Sequence, residues 1–275
     1  MTTNLGAALE VVTATDPGMV RSHNEDSIAA EKEIGLVVLA DGMGGYNAGE
    51  VASGIAVAML ASEVREALAG QQPDAVDESG APRAVAMIRE SAARANAAIY
   101  QAAKSQPQYA GMGTTLVAAL FYDNQVAIGH IGDSRLYRLR GDDLEQITRD
   151  HSLLQEQIDS GMISKEQARY SQNKNLVTRA VGIDPEVETE IHTYDVQSGD
   201  IYLLCSDGLS DMVEDGEIQA TLSMLQSNLP LAARQLVQMA NDNGGRDNIS
   251  VILVRVLGDY AMPKGWFARF KAWFG

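Results

Sequence analysis

The stretch Leu36-Val37-Val38-Leu39-Ala40-Asp41-Gly42-Met43-Gly44-Gly45 decides how this chain is read. An apolar run passes straight into an acid and a glycine-rich turn, which is how a buried strand ends. The pattern recurs. Val126-Ala127-Ile128-Gly129-His130-Ile131 ends in Gly132-Asp133-Ser134-Arg135, and Ile201-Tyr202-Leu203-Leu204-Cys205 ends in Ser206-Asp207-Gly208. In mirror order, Gly244-Gly245-Arg246-Asp247-Asn248 leads into Ile249-Ser250-Val251-Ile252-Leu253-Val254. Asp41, Asp133, Asp207 and Asp247 thus stand at strand ends, where they can meet at one rim of a sheet. Carboxylates gathered there repel one another unless a cation lies between them, so the pattern points to a hard-metal site.

Working outward, strands are expected near 9–15 and 34–40. A helix is expected over 47–69, with Asn47 as N-cap, Gly70 as stop, and Val51, Ile55, Ala58, Met59, Leu60, Val64 and Leu68 at helical spacing. A second, alanine-rich helix is predicted over 83–104, its core side carrying Val85, Ile88, Ala92 and Ile99. Tyr122-Asp123-Asn124-Gln125 separates two apolar runs as a hairpin turn does. Another hairpin turns at Gly141-Asp142-Asp143. Short helices and loop are expected over 152–175, strands over 201–205 and 249–256, and helices near 215–225 and 229–242. Strands bracketing helix pairs, with several hairpins, argue for an α+β layered domain rather than a parallel βαβ array.

The chain has 275 residues, 21 basic against 37 acidic side chains, and a net charge of -16 with His neutral. That balance argues against a nucleic-acid partner, which needs a basic footprint. One cysteine allows no internal disulfide and fits a reducing compartment. The N-terminus shows no signal-peptide pattern, and no apolar stretch approaches the ~20 residues of a spanning helix. The expected location is cytoplasmic, and the expected state a monomer.

The order of motifs resembles the metal-dependent serine/threonine protein phosphatases of type 2C (PPM family), in their compact bacterial form. The matching pieces are Arg21 to Asp26, Ala40-Asp41-Gly42-Met43-Gly44-Gly45, Gly113-Thr114-Thr115, Gly132-Asp133-Ser134-Arg135-Leu136-Tyr137, Asp150-His151-Ser152, Thr178-Arg179-Ala180-Val181-Gly182, Ser206-Asp207-Gly208-Leu209 and Gly245-Arg246-Asp247-Asn248. The resemblance implies a four-layer α-β-β-α sandwich, two central antiparallel sheets flanked by helix pairs. It implies a catalytic domain over 1–257 with a flap at about 152–177. It implies two core Mn²⁺ or Mg²⁺ ions and a third, weaker one. Asp41 would bridge the core ions, the Gly42 carbonyl would ligate one, and Asp207 and Asp247 would complete the other. Glu25 and Asp26 would bind directly or through water, Asp133 would hold the third ion, and Arg21 would grip the phosphate. The implied reaction is hydrolysis of phosphoserine and phosphothreonine by a metal-bridging hydroxide, reversing serine/threonine kinase signalling. Its partners would be phosphoproteins, a serine/threonine kinase or its substrates. All-oxygen ligands suit these hard ions, and a planar, permanently charged guanidinium suits a phosphate.

One departure stands out. Some relatives carry His directly after the Asp-Gly of the first metal motif, as the proposed general acid; this chain has Met43. His23 is the nearest alternative in sequence, and a solvated loop residue is its plainer reading. His151 reads as ordering the loop after the hairpins. Cys205 reads as a core thiol, because a cysteine phosphatase would carry Arg six residues on and Asp211 stands there. Regular Asp-x-Asp-x-Asp spacings of a structural calcium site are absent. A non-catalytic binding module would show missing metal acids, and none is missing.

The last stretch is not explained by the family. Residues 258–275 read as a linker and a tail in which Trp266, Phe267, Phe270, Trp273 and Phe274 share one helical face, with Lys264, Arg269 and Lys271 elsewhere. Such a segment can lie on the inner face of an anionic membrane, dock into a protein groove through 266–274, or pack back onto its own domain.

Overall fold

The computed structural model describes residues 5–45, 48–77, 80–164, 167 and 176–262. The alternating strands assemble into two sheets in which every paired strand is antiparallel. The first holds β1 (Leu9–Asp16), β11 (Ile249–Val256), β10 (Ile201–Cys205), β7 (Arg135–Arg140) and β8 (Asp143–Gln146), in that order. The second runs β2 (Asp26–Glu31), β3 (Leu36–Met43), β5 (Leu116–Tyr122), β6 (Gln125–Ile131) and β9 (Glu190–Asp195), with β4 (Gly113–Thr114) paired to the end of β3. Between them lies a core including Val37, Leu39, Val117, Phe121, Tyr202, Leu204, Ile252 and Val254. Phe121 and Tyr202 meet edge to face, with centroids 5.2 Å apart.

Helices cover both outer faces. Numbering begins with the single turn α1 (Leu5–Ala8). Helices α2 (Ala48–Gly70) and α3 (Arg83–Ser105) pack on the second sheet, together with the opposite faces of its strands, such as Val38, Ala118 and Leu120. After α4 (Leu153–Asp159) and the single turn α5 (Asp207–Ser210), helices α6 (Asp215–Leu225) and α7 (Leu229–Asp242) cover the first sheet over Leu203, Leu253 and Val251. The starts of α4 and α7 follow local chemistry: Ser152 accepts from Gln155 N–H, and Asn228 accepts from Leu231 N–H. Helix α6 begins with a reciprocal Glu214/Glu217 capping box. The expected α-β-β-α sandwich is present. Among the described residues, no helix is long and apolar enough to cross a membrane.

Several sequence expectations change in detail. The inner face of α2 is Ala52, Ser53, Ala56, Val57, Leu60, Ala61 and Val64, while Val51, Ile55 and Met59 are only partly covered and Ala58 is exposed. Small side chains let this helix lie close to the sheet, and Val51 and Ile55 pack at the margin of that contact. Asp26 opens strand β2. The segment from Gly258, read as a linker, is held down as far as Met262. Tyr260 is 1% exposed in the inter-sheet core, and the 123–124 turn accepts from both Tyr260 N–H (2.8 Å, to Asn124 Oδ1) and Met262 N–H (2.7 Å, to Asp123 Oδ1). In the 152–177 segment, Ser164 and Gln167 form reciprocal capping hydrogen bonds. Asn47, Lys165, Glu166 and the aromatic tail 266–274 lie outside the described residues.

Candidate active site

The two sheets bring the acids to one rim. Asp26 and Asp41 are direct cross-strand partners in β2 and β3, so their side chains share a face. Asp207 starts α5 immediately after β10, and Asp247 sits just before β11, the neighbour of β10. Asp133 follows the end of β6 and is 9% exposed. Mutual repulsion links Asp41 electrostatically to Asp26, Asp207, Asp133 and Asp247. Glu25 lies beside this group, also within range of Asp247 and Arg21.

Burial drives the protonation of these groups. It pushes Asp26 up to about 6, against hydrogen bonds from Ser250 and Ser206 that pull it down. It also pushes Asp133 up to about 6, with the Asp150 charge adding to the shift. Asp41 and Asp207 stand well above the usual carboxylate range, first from burial and then from their acidic neighbours. Glu25 is raised by burial, offset in part by Arg21. Acids placed this way bind protons when no cation neutralises them.

Glycines permit the close approach. A Cβ on Gly42 would come 2.2 Å from the Gly49 carbonyl oxygen and 2.6 Å from that of Glu25. A Cβ on Gly49 would come 2.9 Å from the Glu25 carboxyl group. The missing side chains let the Glu25 carboxylate meet the first turn of α2, where helix N–H groups favour an anion.

Residues that the motif reading passed over hold the acids in place. Asn248 Oδ1 accepts from Glu25 N–H at 2.8 Å, while its Nδ2 donates to Pro17 O at 3.0 Å and His23 O at 2.8 Å. One amide thereby ties the loop carrying Arg21 and Glu25 to the strand carrying Asp247. Thr114 Oγ1 and Thr115 N–H both donate to Asp41 O, and Asp41 N–H donates to Thr115 Oγ1. Thr115 Oγ1 also meets Ser134 Oγ at 2.7 Å, which links Asp41 to the residue after Asp133. Ser206 Oγ donates to Asp26 Oδ2 at 2.8 Å and accepts from Ser250 N–H. The sequence signal for Thr114, Thr115, Ser134, Ser206 and Asn248 was their place inside the matching motifs, which gave them no role.

Arg21 is exposed and donates to Asp247 Oδ2 at 2.7 Å. His23 is exposed and its ring contacts Ser22. Met43 forms the end of β3 opposite Gly113. Cys205 is fully buried, and burial pushes its thiol up to about 12, as befits a core residue. Beyond Asp133 and Asp207, a groove of about 590 Å³ runs between α4 and α6, lined in part by Arg135, Asp150, Asp211 and Asp215. Arg135 holds Asp150 in a bidentate ion pair at its wall.

These residues fit a bound cation. The donors are all oxygens, burial and then acidic neighbours raise Asp26, Asp41 and Asp207, and among the described residues Asp26 Oδ1 is buried without a hydrogen-bond partner.

The protein phosphatase 2C family profile matches residues 20–253. A serine/threonine phosphatase, Stp, of Listeria innocua is 38% identical over 87% of this chain and 93% of its own length. The crystal structure of the Mycobacterium tuberculosis serine/threonine phosphatase PstP superposes with a TM-score of 0.82 at 38% identity, covering 91% of this chain and 99% of that one. A second structure, the PstP catalytic domain in complex with two manganese ions, gives a TM-score of 0.79 at 37% identity over 91% and 99%. The chain belongs to the protein phosphatase 2C family, the metal-dependent serine/threonine protein phosphatases, in its bacterial form.

Proposed function

We propose that Asp41, Asp207, Asp247 and the Gly42 carbonyl hold two Mn²⁺ or Mg²⁺ ions, that Glu25 and Asp26 complete their surroundings, and that Asp133 holds a third, weaker ion. The convergence of these mutually repelling acids at one rim carries the reading. When bound, the ions supply an activated water and positive charge for the phosphoryl oxygens. The chain's own groups do the rest. Asp26 and Asp41, anchored by Ser206 and by Thr114 and Thr115, offer preformed oxygens that pay no reorganisation when a cation arrives. Arg21, on an exposed loop pinned by Asn248, can turn from Asp247 toward a substrate phosphate and bind two of its oxygens. Met43 carries no proton, so protonation of the leaving seryl or threonyl oxygen falls to water or to His23.

The substrate is a phosphoprotein, and the groove beyond Asp133 admits the peptide around the phosphorylated residue. Ser152, Leu154, Gln155 and Ile158 line that groove, and the 152–177 segment they open shapes access in this reading. In this reading the catalytic domain extends through Met262, the protein is a cytoplasmic monomer that opposes a serine/threonine kinase, and the aromatic tail supplies a membrane or protein contact.

The test is hydrolysis of a phosphothreonine peptide with added Mn²⁺. Chelation should abolish turnover, and Asp207→Asn should lower kcat by about 10²–10³-fold, the scale of losing one preorganised charge-stabilising group. Full turnover after verified metal removal would sink the proposal.

A further inference from the structure

A second group of metal-type donors stands apart from the catalytic acids. His130, next to the end of β6, is 2% exposed, and among the described residues neither of its ring nitrogens has a hydrogen-bond partner. Its direct cross-strand partner is Glu190, the first residue of β9. His151 arrives from the loop after β8 and stacks on His130, with ring centroids 4.6 Å apart and planes tilted by 33°. His151 Nε2 lies 3.2 Å from Glu190 Oε2, and the other Glu190 oxygen holds His192 Nε2 at 2.8 Å. One donor atom from each of His130, His151 and Glu190 falls within 4.8 Å of the others.

A buried imidazole with both nitrogens unpaired is costly, and a ligand would explain it. Two imidazoles and a carboxylate select a borderline ion such as Zn²⁺, whereas the all-oxygen rim selects Mg²⁺ or Mn²⁺. We propose that His130, His151 and Glu190 form a second metal site, for a divalent ion of the zinc class, whose filling disturbs the loop that carries Asp133. Bonds of roughly 2.0–2.1 Å require the rings to close in by about 1 Å. Arg179, with Nη1 3.4 Å from His151 Nε2, is partly exposed and gives way to the entering cation.

The link to Asp133 is a proton position. Gly132 N–H donates to His151 Nδ1 at 3.1 Å, so the ring proton sits on Nε2 and faces Glu190. A metal on Nε2 requires that proton to move to Nδ1, with no net proton gained or lost. Two N–H groups then face each other, and Gly132 loses its acceptor directly beside Asp133. The metal site stands on its own geometry; only its effect on turnover rests on the reading of Asp133 given above.

X-ray absorption at the zinc edge tests the site without any variant. Wild-type protein saturated with Mg²⁺ and given one equivalent of Zn²⁺ should show two imidazoles in the zinc shell. An all-oxygen shell overturns the proposal. In calorimetric titrations, zinc affinity should survive Asp41→Asn and weaken at least 10-fold in His151→Gln and Glu190→Gln. The reverse pattern refutes the site. At saturating Mg²⁺, zinc should inhibit the wild type and inhibit Glu190→Gln far less. Stoichiometric zinc binding at the imidazoles with unchanged turnover would overturn the control of Asp133 alone.

Discussion

At the scale of the residue, Arg21 tests how the site divides its labour. Its contact with Asp247 is half exposed, and pairs of this kind add little to stability. Its contribution should therefore show in turnover and not in folding. Arg21→Ala is expected to lower kcat/KM for a phosphopeptide by about 10–100-fold, the scale of a charge-assisted hydrogen bond. The thermal midpoint of the Mn²⁺-loaded protein should stay where it is. Steady-state kinetics and a melting curve on one preparation check both, and a large drop in the midpoint with unchanged kcat/KM would place Arg21 in the scaffold instead. The role of Arg21 came only from the family resemblance, whereas acids such as Asp41 were legible in the sequence because carboxylates at strand ends are chemically conspicuous. Asn248, Thr115 and Ser206 were not, because a hydroxyl or amide beside a turn is ordinary until the strands it bridges are known.

At the scale of the element, the strands with unbroken apolar runs and the helices α3, α6 and α7 could be read directly, since their periodicity matches their burial. The hairpin at Asp123-Asn124 was equally plain; both residues have positive φ, 42° and 56°, as a two-residue primed turn demands. Strands β2 and β9 escaped because they flank the second sheet and none of their residues is fully buried, so alternation there is faint. The face of α2 was only partly legible because alanine carries little pattern. The contacts of the segment after Gly258 were not legible for another reason. A lone tyrosine after a glycine looks like linker until the 123–124 turn is seen to catch it. Tyr260 adds a fully buried ring to the inter-sheet core. Tyr260→Ala should cost about 3–5 kcal/mol in chemical denaturation, as large-to-small core changes do. Truncation after Met262 should cost almost nothing by the same measurement, and truncation after Val256 should match Tyr260→Ala or exceed it. Equal stability of both truncations would show that the ring is dispensable.

At the scale of the whole molecule, the acidic rim and the buried histidine set opposite demands on pH. Burial pushes Asp26 and Asp133 up to about 6, and burial with acidic neighbours holds Asp41 and Asp207 well above the usual carboxylate range. Unfolded, such acids titrate near 4. Between about pH 4 and 6 the metal-free folded state therefore holds more protons than the unfolded state, and stability falls as pH rises through that window. His130 acts the other way. Burial pushes it down to about 3, so the unfolded chain takes up the proton first and His130 favours folding increasingly as pH rises toward 6.5. Four acids outweigh His130 and His151, whose imidazole burial also lowers, and the metal-free protein should melt at a lower temperature at pH 6 than at pH 5. Saturating Mn²⁺ needs the acids deprotonated, so its stabilisation grows with pH and the acid contribution reverses. The Mn²⁺-loaded protein should then melt higher at pH 6 than at pH 5. Melting curves across this range, with chelator and with Mn²⁺, give slopes of opposite sign if the rim is a metal site. Parallel slopes would mean that the acids are neutralised by something other than a cation.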